Sequence, residues 1–576
     1  MPFAWSPLHV FAAALVASSA VRAQQYPTCP VPGRAGPDLV VGDIQSVQNY
    51  TAVGSLEALS LGTTACNVGT QSVNWFANTV NHPVIGGNLY RYKVVGGAGR
   101  FEQLGQGWMK HAYLALSENL CCATCAGDPM GTHLGVGCSD PYTAAQNGTQ
   151  SMLGPRSQVN AHTGAFNAAP THPSGGNNGR IQVEVAELEA TGAATTTRFF
   201  GESVYIAPDD AAANNGDNNT SWREVAVAGS GTAWSFSVTG VTTHEATALD
   251  AWKSVDPAVQ TKSVVVPEGT NAPFDGNARL VLGWRVTDLG GGTWRYEYAL
   301  ENVNSDRAVQ ALTVPFGAGA VLSNTGFHDV DFRAGDGLLG VSQSGLDWAP
   351  VVGANSVAWG SEAFALNPNG NALRFGTTYN FRFDANAAPV QGSVTLAQFK
   401  VVNSVVVTGV EVPGAPSSVP GAAFCAGDGQ GAGATPCPCS NFGTSGRGCA
   451  NSANAAGALL AATGRTLDDT VVLQASGMPA TVSSIFLKGD QSNGAGVVFG
   501  DGVRCVDGAL LRLGTVQNTA GASSYPAGAQ TSVSIRGQTP IGSGATGYYQ
   551  TYYRNSSAQY CPPETFNVSN GYSITW

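Results

Sequence analysis

The placement of cysteine constrains this chain more than any other feature. Six of the 12 cysteines are Cys29, Cys66, Cys121, Cys122, Cys125 and Cys138, and the other six are Cys425, Cys437, Cys439, Cys449, Cys505 and Cys561. The almost three hundred residues between the two clusters contain none. Even clusters around a long cysteine-free span read as two disulfide-stapled modules flanking one that needs no staples, folded in an oxidising compartment. The pairing within each cluster is not deducible from sequence. Cys122-x-x-Cys125 and Cys437-x-Cys439 have spacings that zinc also uses, but neither cluster sets two such pairs at the zinc-ribbon distance.

The amino-terminal end agrees with an exterior location. Val10 to Ala17 is an apolar run too short to span a bilayer, and Val21-Arg22-Ala23 places small residues where signal peptidase reads. Residues 1–23 are therefore expected to be a signal peptide, although His9 stands where Lys or Arg is usual ahead of the run. No later stretch is apolar for about 18 residues, so no transmembrane segment is expected after signal removal.

Charged residues make up 11% of the chain against a typical ~25%, while Gly reaches 74. Helix surfaces are commonly built from Glu, Lys and Arg, so their scarcity favours sheets and long loops. With a net charge of −11 and no basic run to neutralise phosphates, nucleic acid is excluded as an expected partner.

The expected fold class is mainly β: multidomain β-sandwiches with long loops and a few short helices. The clearest hairpin signal runs from Arg279–Thr287 through Gly290-Gly291-Gly292 into Trp294–Glu301. Its second arm alternates Trp294, Tyr296, Tyr298 and Leu300 with Arg295, Glu297, Ala299 and Glu301, a period of two that assigns one aromatic face to a core and one charged face to water. Further strands are expected at residues 181–185, 203–206, 224–227, 235–238, 262–266, 379–383, 399–407, 471–474 and 530–535. Short helices are expected at 107–116 and, capped by Thr243, at 244–252. The three prolines of Glu411–Ala423 suggest an extended spacer. The expected organisation is thus a cysteine-rich N-terminal β domain over 24–265, a cysteine-free sandwich over 266–410, a linker over 411–423 and a stapled sandwich-like domain over 424–576.

Two constellations carry candidate chemistry. His82, His111, His133 and Asp140 lie within about sixty residues and are of the types that bind transition metals, although no fixed-spacing motif joins them and lone histidines commonly serve as hydrogen-bonded structural groups. Asp329-Val330-Asp331 with Gly335-Asp336-Gly337, and Asp209-Asp210 with residues 214–219, are dense in the oxygen ligands of structural calcium. Asn, Asp and Gly are also the ordinary residues of tight turns, which is the competing explanation. No nucleophile elbow with triad partners is present.

Several phrases carry a resemblance. Phe424–Gly429, Thr435–Cys439, Gly448–Ser452, Phe499–Cys505, Tyr548–Arg554 and Asn567–Trp576 resemble a C-terminal domain of large exported proteins from planctomycete-type bacteria. Upstream, His82–Ile85, Phe101–Gln106, Gly137–Tyr142, Leu153–Arg156 and Asn302–Arg307 resemble uncharacterised exported proteins of the same source. The resemblance implies an exported location and a cysteine-rich β-sandwich-like terminal domain, and it brings no established activity and no catalytic residue.

The functional expectation is an exported extracellular or cell-envelope protein of binding or structural type, with an envelope or extracellular polymer as partner. The alternative is a secreted metal-dependent or polysaccharide-acting enzyme whose site lies in the N-terminal domain.

Overall fold

The computed structural model describes residues 26, 28–111, 114–170, 173–189, 194–269, 277–414, 420–426, 428, 433–466, 469–557 and 560–576. The expected signal peptide, 1–23, lies outside them. The fold is mainly β, built from antiparallel sheets with helices of eight residues or fewer among the described residues. No helix among the described residues is long and apolar enough to cross a membrane.

The first sandwich packs the hairpin Leu39–Val53 and Leu56–Asn67, extended by Ile181–Glu184 and Ser139–Tyr142, against a larger sheet. That sheet contains Val84–Val95, Ala98–Gln106, Ala194–Ile206, Thr220–Ser230 and Ala233–Thr243. Leu39, Val41, Leu59 and Leu61 from one sheet meet Leu89, Leu104, Tyr205 and Val225 from the other in one core. Met109–His111, expected to be helical, is instead a strand paired with Val84–Ile85 and with Leu153–Gly154. A segment this short does not distinguish the two periods, and here neighbouring strands supply the backbone partners.

The second sandwich begins before the expected boundary at 265/266. Gln260–Pro267 pairs along its whole length with Asn277–Gly290, which pairs with Thr293–Asn302, itself paired with Thr378–Ala385. The expected hairpin is present, turning on Gly290, Gly291 and Gly292, all at positive φ. The facing sheet runs Val351–Val352, Ser356–Gly360, Val309–Pro315, Pro389–Gln398 and Ser404–Pro413. The strand expected at 399–407 is therefore split: Phe399–Asn403 turns the chain between Pro389–Gln398 and Ser404–Pro413. Tyr296, Tyr298, Phe381, Trp348 and Trp359 fill the core between the sheets. The proposed spacer also contracts, since Glu411–Pro413 ends one strand and Ala422–Ala423 begins another; residues 415–419 are outside the described ones.

The helix expected at 244–252 lies at Ala248–Val255, and its N-cap is Thr247, whose backbone N–H donates to the Asp250 carboxylate at 3.1 Å, instead of Thr243. Its apolar residues Leu249 and Trp252 pack with Tyr90, Phe101, Phe200, Val281 and Ala299, joining the first two sandwiches through a shared core.

In the third sandwich a sheet of Ala422–Cys425, Gly571–Thr575, Thr546–Arg554, Ser483–Gly489 and Leu511–Gln517 faces Leu459–Thr463, Val472–Ser476 and Ser523–Tyr525. Tyr549 and Tyr553 enter the core, and Trp576 donates its indole N–H to the Tyr549 hydroxyl at 2.9 Å. The strand expected at 530–535 is replaced by the short helix Val533–Gly537.

Disulfides join Cys29–Cys122, Cys66–Cys121 and Cys125–Cys138 in the first unit, and Cys425–Cys505, Cys437–Cys449 and Cys439–Cys561 in the third. Every bond stays inside its own sequence cluster. No free cysteine remains, so the zinc-like spacings offer no thiolate to a metal.

Candidate functional site: a cleft beside the junction of the first two sandwiches

The charged face of Thr293–Asn302 is not in water. Glu297 and Glu301 are each 1% exposed, because the first sandwich covers that face. Arg100 donates from Nη2 at 2.8 Å and Nε at 3.0 Å to Glu297 Oε1, and Arg295 bridges back to the Val95 carbonyl at 3.1 Å while holding Asp384. Burial raises the Glu297 carboxyl, and Arg100 opposes that rise.

A second cluster lies deeper. The Glu202 and Glu301 carboxyls are buried neighbours that act on each other electrostatically. Glu202 also accepts from Asn88 at 2.8 Å, from the Tyr90 hydroxyl at 3.0 Å and from the Ala248 N–H at 2.7 Å. Burial holds Glu301 well above the usual carboxylate range, and the neighbouring Glu202 pushes it further. Two neighbouring buried carboxyls raise each other's affinity for a proton.

The hub linking this cluster to the surface is Gly376. Its carbonyl accepts from Asn88 at 3.1 Å, Gln103 at 3.1 Å and Arg156 at 3.3 Å. Its φ of +71° suits glycine, and a Cβ there would fall 1.8 Å from Arg156 Nη1. Arg156 then opens onto a cleft of about 160 Å³ between the two sandwiches. That volume is an order of magnitude above the ~10–15 Å³ that one water needs.

The cleft walls are aromatic: Trp108 comes from the first sandwich, and Phe332, Phe364 and Phe375 come from the second. Three cationic side chains, Arg156, Arg374 and Lys400, and two acidic ones, Asp306 and Asp336, line it. Lys400 pairs with Asp306 at 2.8 Å. Asp336 accepts from the Trp108 indole N–H and from the Arg333 backbone N–H. Arg156 donates only to neutral acceptors, Gly107, Gly87 and Gly376 carbonyls and the Asn88 amide oxygen. Arg374 donates to the Pro368 and Gly370 carbonyls, and its buried Nε has no acceptor. Burial lowers both guanidinium groups from their ordinary value, Arg156 to about 10. The side-chain amides of Gln106 and Gln343 also line the cleft, and among the described residues neither is hydrogen-bonded.

Among the metal candidates, the structure brings together His82 and His111, whose ring centroids are 5.8 Å apart, each packed on Phe166 at 5.1 Å. His82 is fully buried with Nδ1 2.7 Å from the Pro83 carbonyl, and burial lowers its pKa. His133 sits instead beside Asp128 at 3.1 Å and edge-on to Phe76. Asp140 accepts the Leu116 N–H at 3.1 Å, and burial raises it to about 7. Among the described residues no three His, Cys, Asp or Glu side chains are grouped as a metal-ligand set.

The acidic loops bond to the protein itself. Asp329 accepts from Asn371, Asp331 pairs with Arg333 at 3.2 Å, and Asp336 ties the cleft to Trp108. Asp210 accepts from Leu39 N at 2.9 Å and Asn219 at 2.7 Å, so its loop anchors the start of the first hairpin. Of the residues singled out by sequence for metal, only Asp336 lines the cleft. The phrases Phe101–Gln106, Leu153–Arg156 and Asn302–Arg307 contribute Gln106, Arg156, Ser305 and Asp306 to it, although no spacing rule joins them.

No protein-family model matches this chain, and no curated protein matches it in sequence. Among solved structures it is similar to the 35 kDa C-terminal fragment of the major pilin GBS80 of Streptococcus agalactiae, at 7% identity over 54% of this chain and 91% of that one, with a TM-score of 0.18. It is also similar to the C-terminal domain of the AgI/II polypeptide BspA of the same organism, at 11% identity over 54% of this chain and 99% of that one, with a TM-score of 0.17. Scores at this level carry no argument about function, and the family resemblance is supported only in its coarse form, a cysteine-rich, mainly β chain.

Proposed function

We propose that this is an exported binding protein of the cell envelope or extracellular space, in which two fused sandwiches present a ligand cleft and a stapled third sandwich accompanies them. Six disulfides with no free cysteine support an oxidising exterior. The observation that carries the binding role is the aromatic-walled cleft holding the unengaged amides of Gln106 and Gln343. Concave sites with apolar walls and a few convergent polar groups are where small ligands bind.

The test is fractionation of the producing cells together with sedimentation of the purified, oxidised protein with their envelopes. The proposal predicts recovery outside the cytoplasm and saturable co-sedimentation. Recovery in the cytoplasm with reduced cysteines overturns the location, and absence of any envelope or exopolymer binding overturns the role.

A further inference from the structure

We infer that the cleft takes one carboxylate-bearing sugar ring, a hexuronate unit of an extracellular polysaccharide. This inference rests on the binding role proposed above and names its ligand class. Three features of the cleft converge on it.

The first is shape and wall chemistry. Trp108, Phe364 and Phe375 give flat apolar surfaces to a cavity of about 160 Å³, which suits the C–H faces of a single ring better than an extended peptide.

The second is hydrogen-bonding capacity left unused. Gln343 is 8% exposed, yet its amide bonds to no described residue, and the Gln106 amide is likewise unengaged. Each amide offers two donors and an acceptor. Vicinal ring hydroxyls, which donate and accept together, are the partners that satisfy such groups at both ends. A purely apolar ligand would leave them buried and unpaired, at a cost of about 1–3 kcal/mol each.

The third is charge. The chain carries −11, but the cleft lining has three cations to two acids. Both acids are already engaged, Asp306 by Lys400 and Asp336 by two N–H donors. Arg156 and Arg374 have no ion-pair partner among the described residues, and both donate only to neutral acceptors. A guanidinium in this state is matched by a carboxylate, whose two oxygens accept its parallel N–H bonds. A neutral sugar satisfies the amides but not the guanidinium, and a simple carboxylate does the reverse.

The experiment is calorimetric titration of the full, oxidised chain with D-glucuronate, D-galacturonate and their short oligomers. D-glucose and D-galactose serve as rings without a carboxylate, and acetate and benzoate as carboxylates without the sugar hydroxyls. At least one uronate series binds at least tenfold more tightly than every comparator, and Arg374→Gln and Gln343→Ala each weaken it at least tenfold. Near-UV circular dichroism confirms that the variants are folded, and Phe364→Ala, on a half-buried wall, gives the same loss should either polar variant fail to fold. Equal binding of uronate and neutral sugar, wild-type affinity in the variants, or silence toward all uronates overturns the inference. A wild-type protein that co-sediments with envelopes yet ignores every uronate overturns this ligand assignment alone, whereas one that binds neither overturns the binding role as well.

Discussion

Arg100 of the first sandwich and Glu297 of the second form a forked ion pair across their junction, with N···O distances of 2.8, 3.0 and 3.2 Å and both side chains nearly closed to solvent. The pair is separated by 197 residues in sequence, so it forms only when both sandwiches are in place. Together with the shared core around Trp252, it makes the first two sandwiches one mechanical body. The cleft depends on that union, because its walls come from both.

Removing one partner of this pair tests the union. Arg100→Ala strands the Glu297 carboxylate in the interface and should cost about 3–5 kcal/mol, whereas the double replacement Arg100→Met with Glu297→Leu should recover most of the loss. Denaturant unfolding followed by tryptophan fluorescence measures both. A cost below 1 kcal/mol for Arg100→Ala would mean that the junction is wet or open in solution.

The Glu202–Glu301 pair predicts the sign of a pH effect. Both carboxyls are raised by burial above their unfolded value near ~4.3, so the folded state holds protons that the unfolded chain releases. Their contribution is fully present below that unfolded value and is lost as pH rises through the raised folded values. Asp140 and Asp329, each raised to about 7, act in the same direction. Stability of the two-sandwich body should therefore fall from pH 5 to pH 8, and Glu301→Gln, which cannot ionise, should flatten that slope. An identical slope in the variant removes the pair from the account.

Gly376→Ala places a methyl group on Arg156 at a backbone angle of +71°. A non-glycine residue there costs on the order of 1–3 kcal/mol from the backbone alone, and the clash displaces the guanidinium that lines the cleft. The expected result is lower stability with lost ligand binding. Unchanged binding in a folded variant would separate Arg156 from the site.

Reduction should act unevenly. Bonds closing separations of 93 and 55 residues tie the first sandwich and bonds closing 80 and 122 tie the third, and each such bond contributes about 2–5 kcal/mol. Limited proteolysis with added reductant should open the stapled segments 29–138 and 425–561 and leave a resistant fragment containing 277–413, which holds no disulfide. Uniform cleavage of all three units would contradict the division of labour between staples and core.

Much of the fold was legible where local chemistry decides it. The alternation of Trp294, Tyr296, Tyr298 and Leu300 identified a strand and its core face, and the two cysteine clusters each closed on themselves. What misled was the opposite face: Arg295, Glu297 and Glu301 read as a solvated surface because charge usually marks water, and the burying partner, Arg100, lies in a distant segment. Residues 107–116 and 530–535 differ from expectation for a related reason, since short segments without a decisive period take whichever partners the tertiary structure offers. The cleft was illegible altogether, because Gln106, Arg156, Gln343 and Arg374 share no motif and meet only through the junction. His82 and His111 do meet, but His133 and Asp140 are held by Asp128 and the Leu116 N–H in other parts of the first unit.

The most direct measurement is a crystal structure of the oxidised protein grown with acidic oligosaccharides released from the producing cell's own envelope. The account predicts a sugar ring in the cleft, with its carboxylate at Arg374 and its hydroxyls on Gln106 and Gln343. Sugar bound elsewhere, or a cleft filled only by water at saturating oligosaccharide, would contradict it.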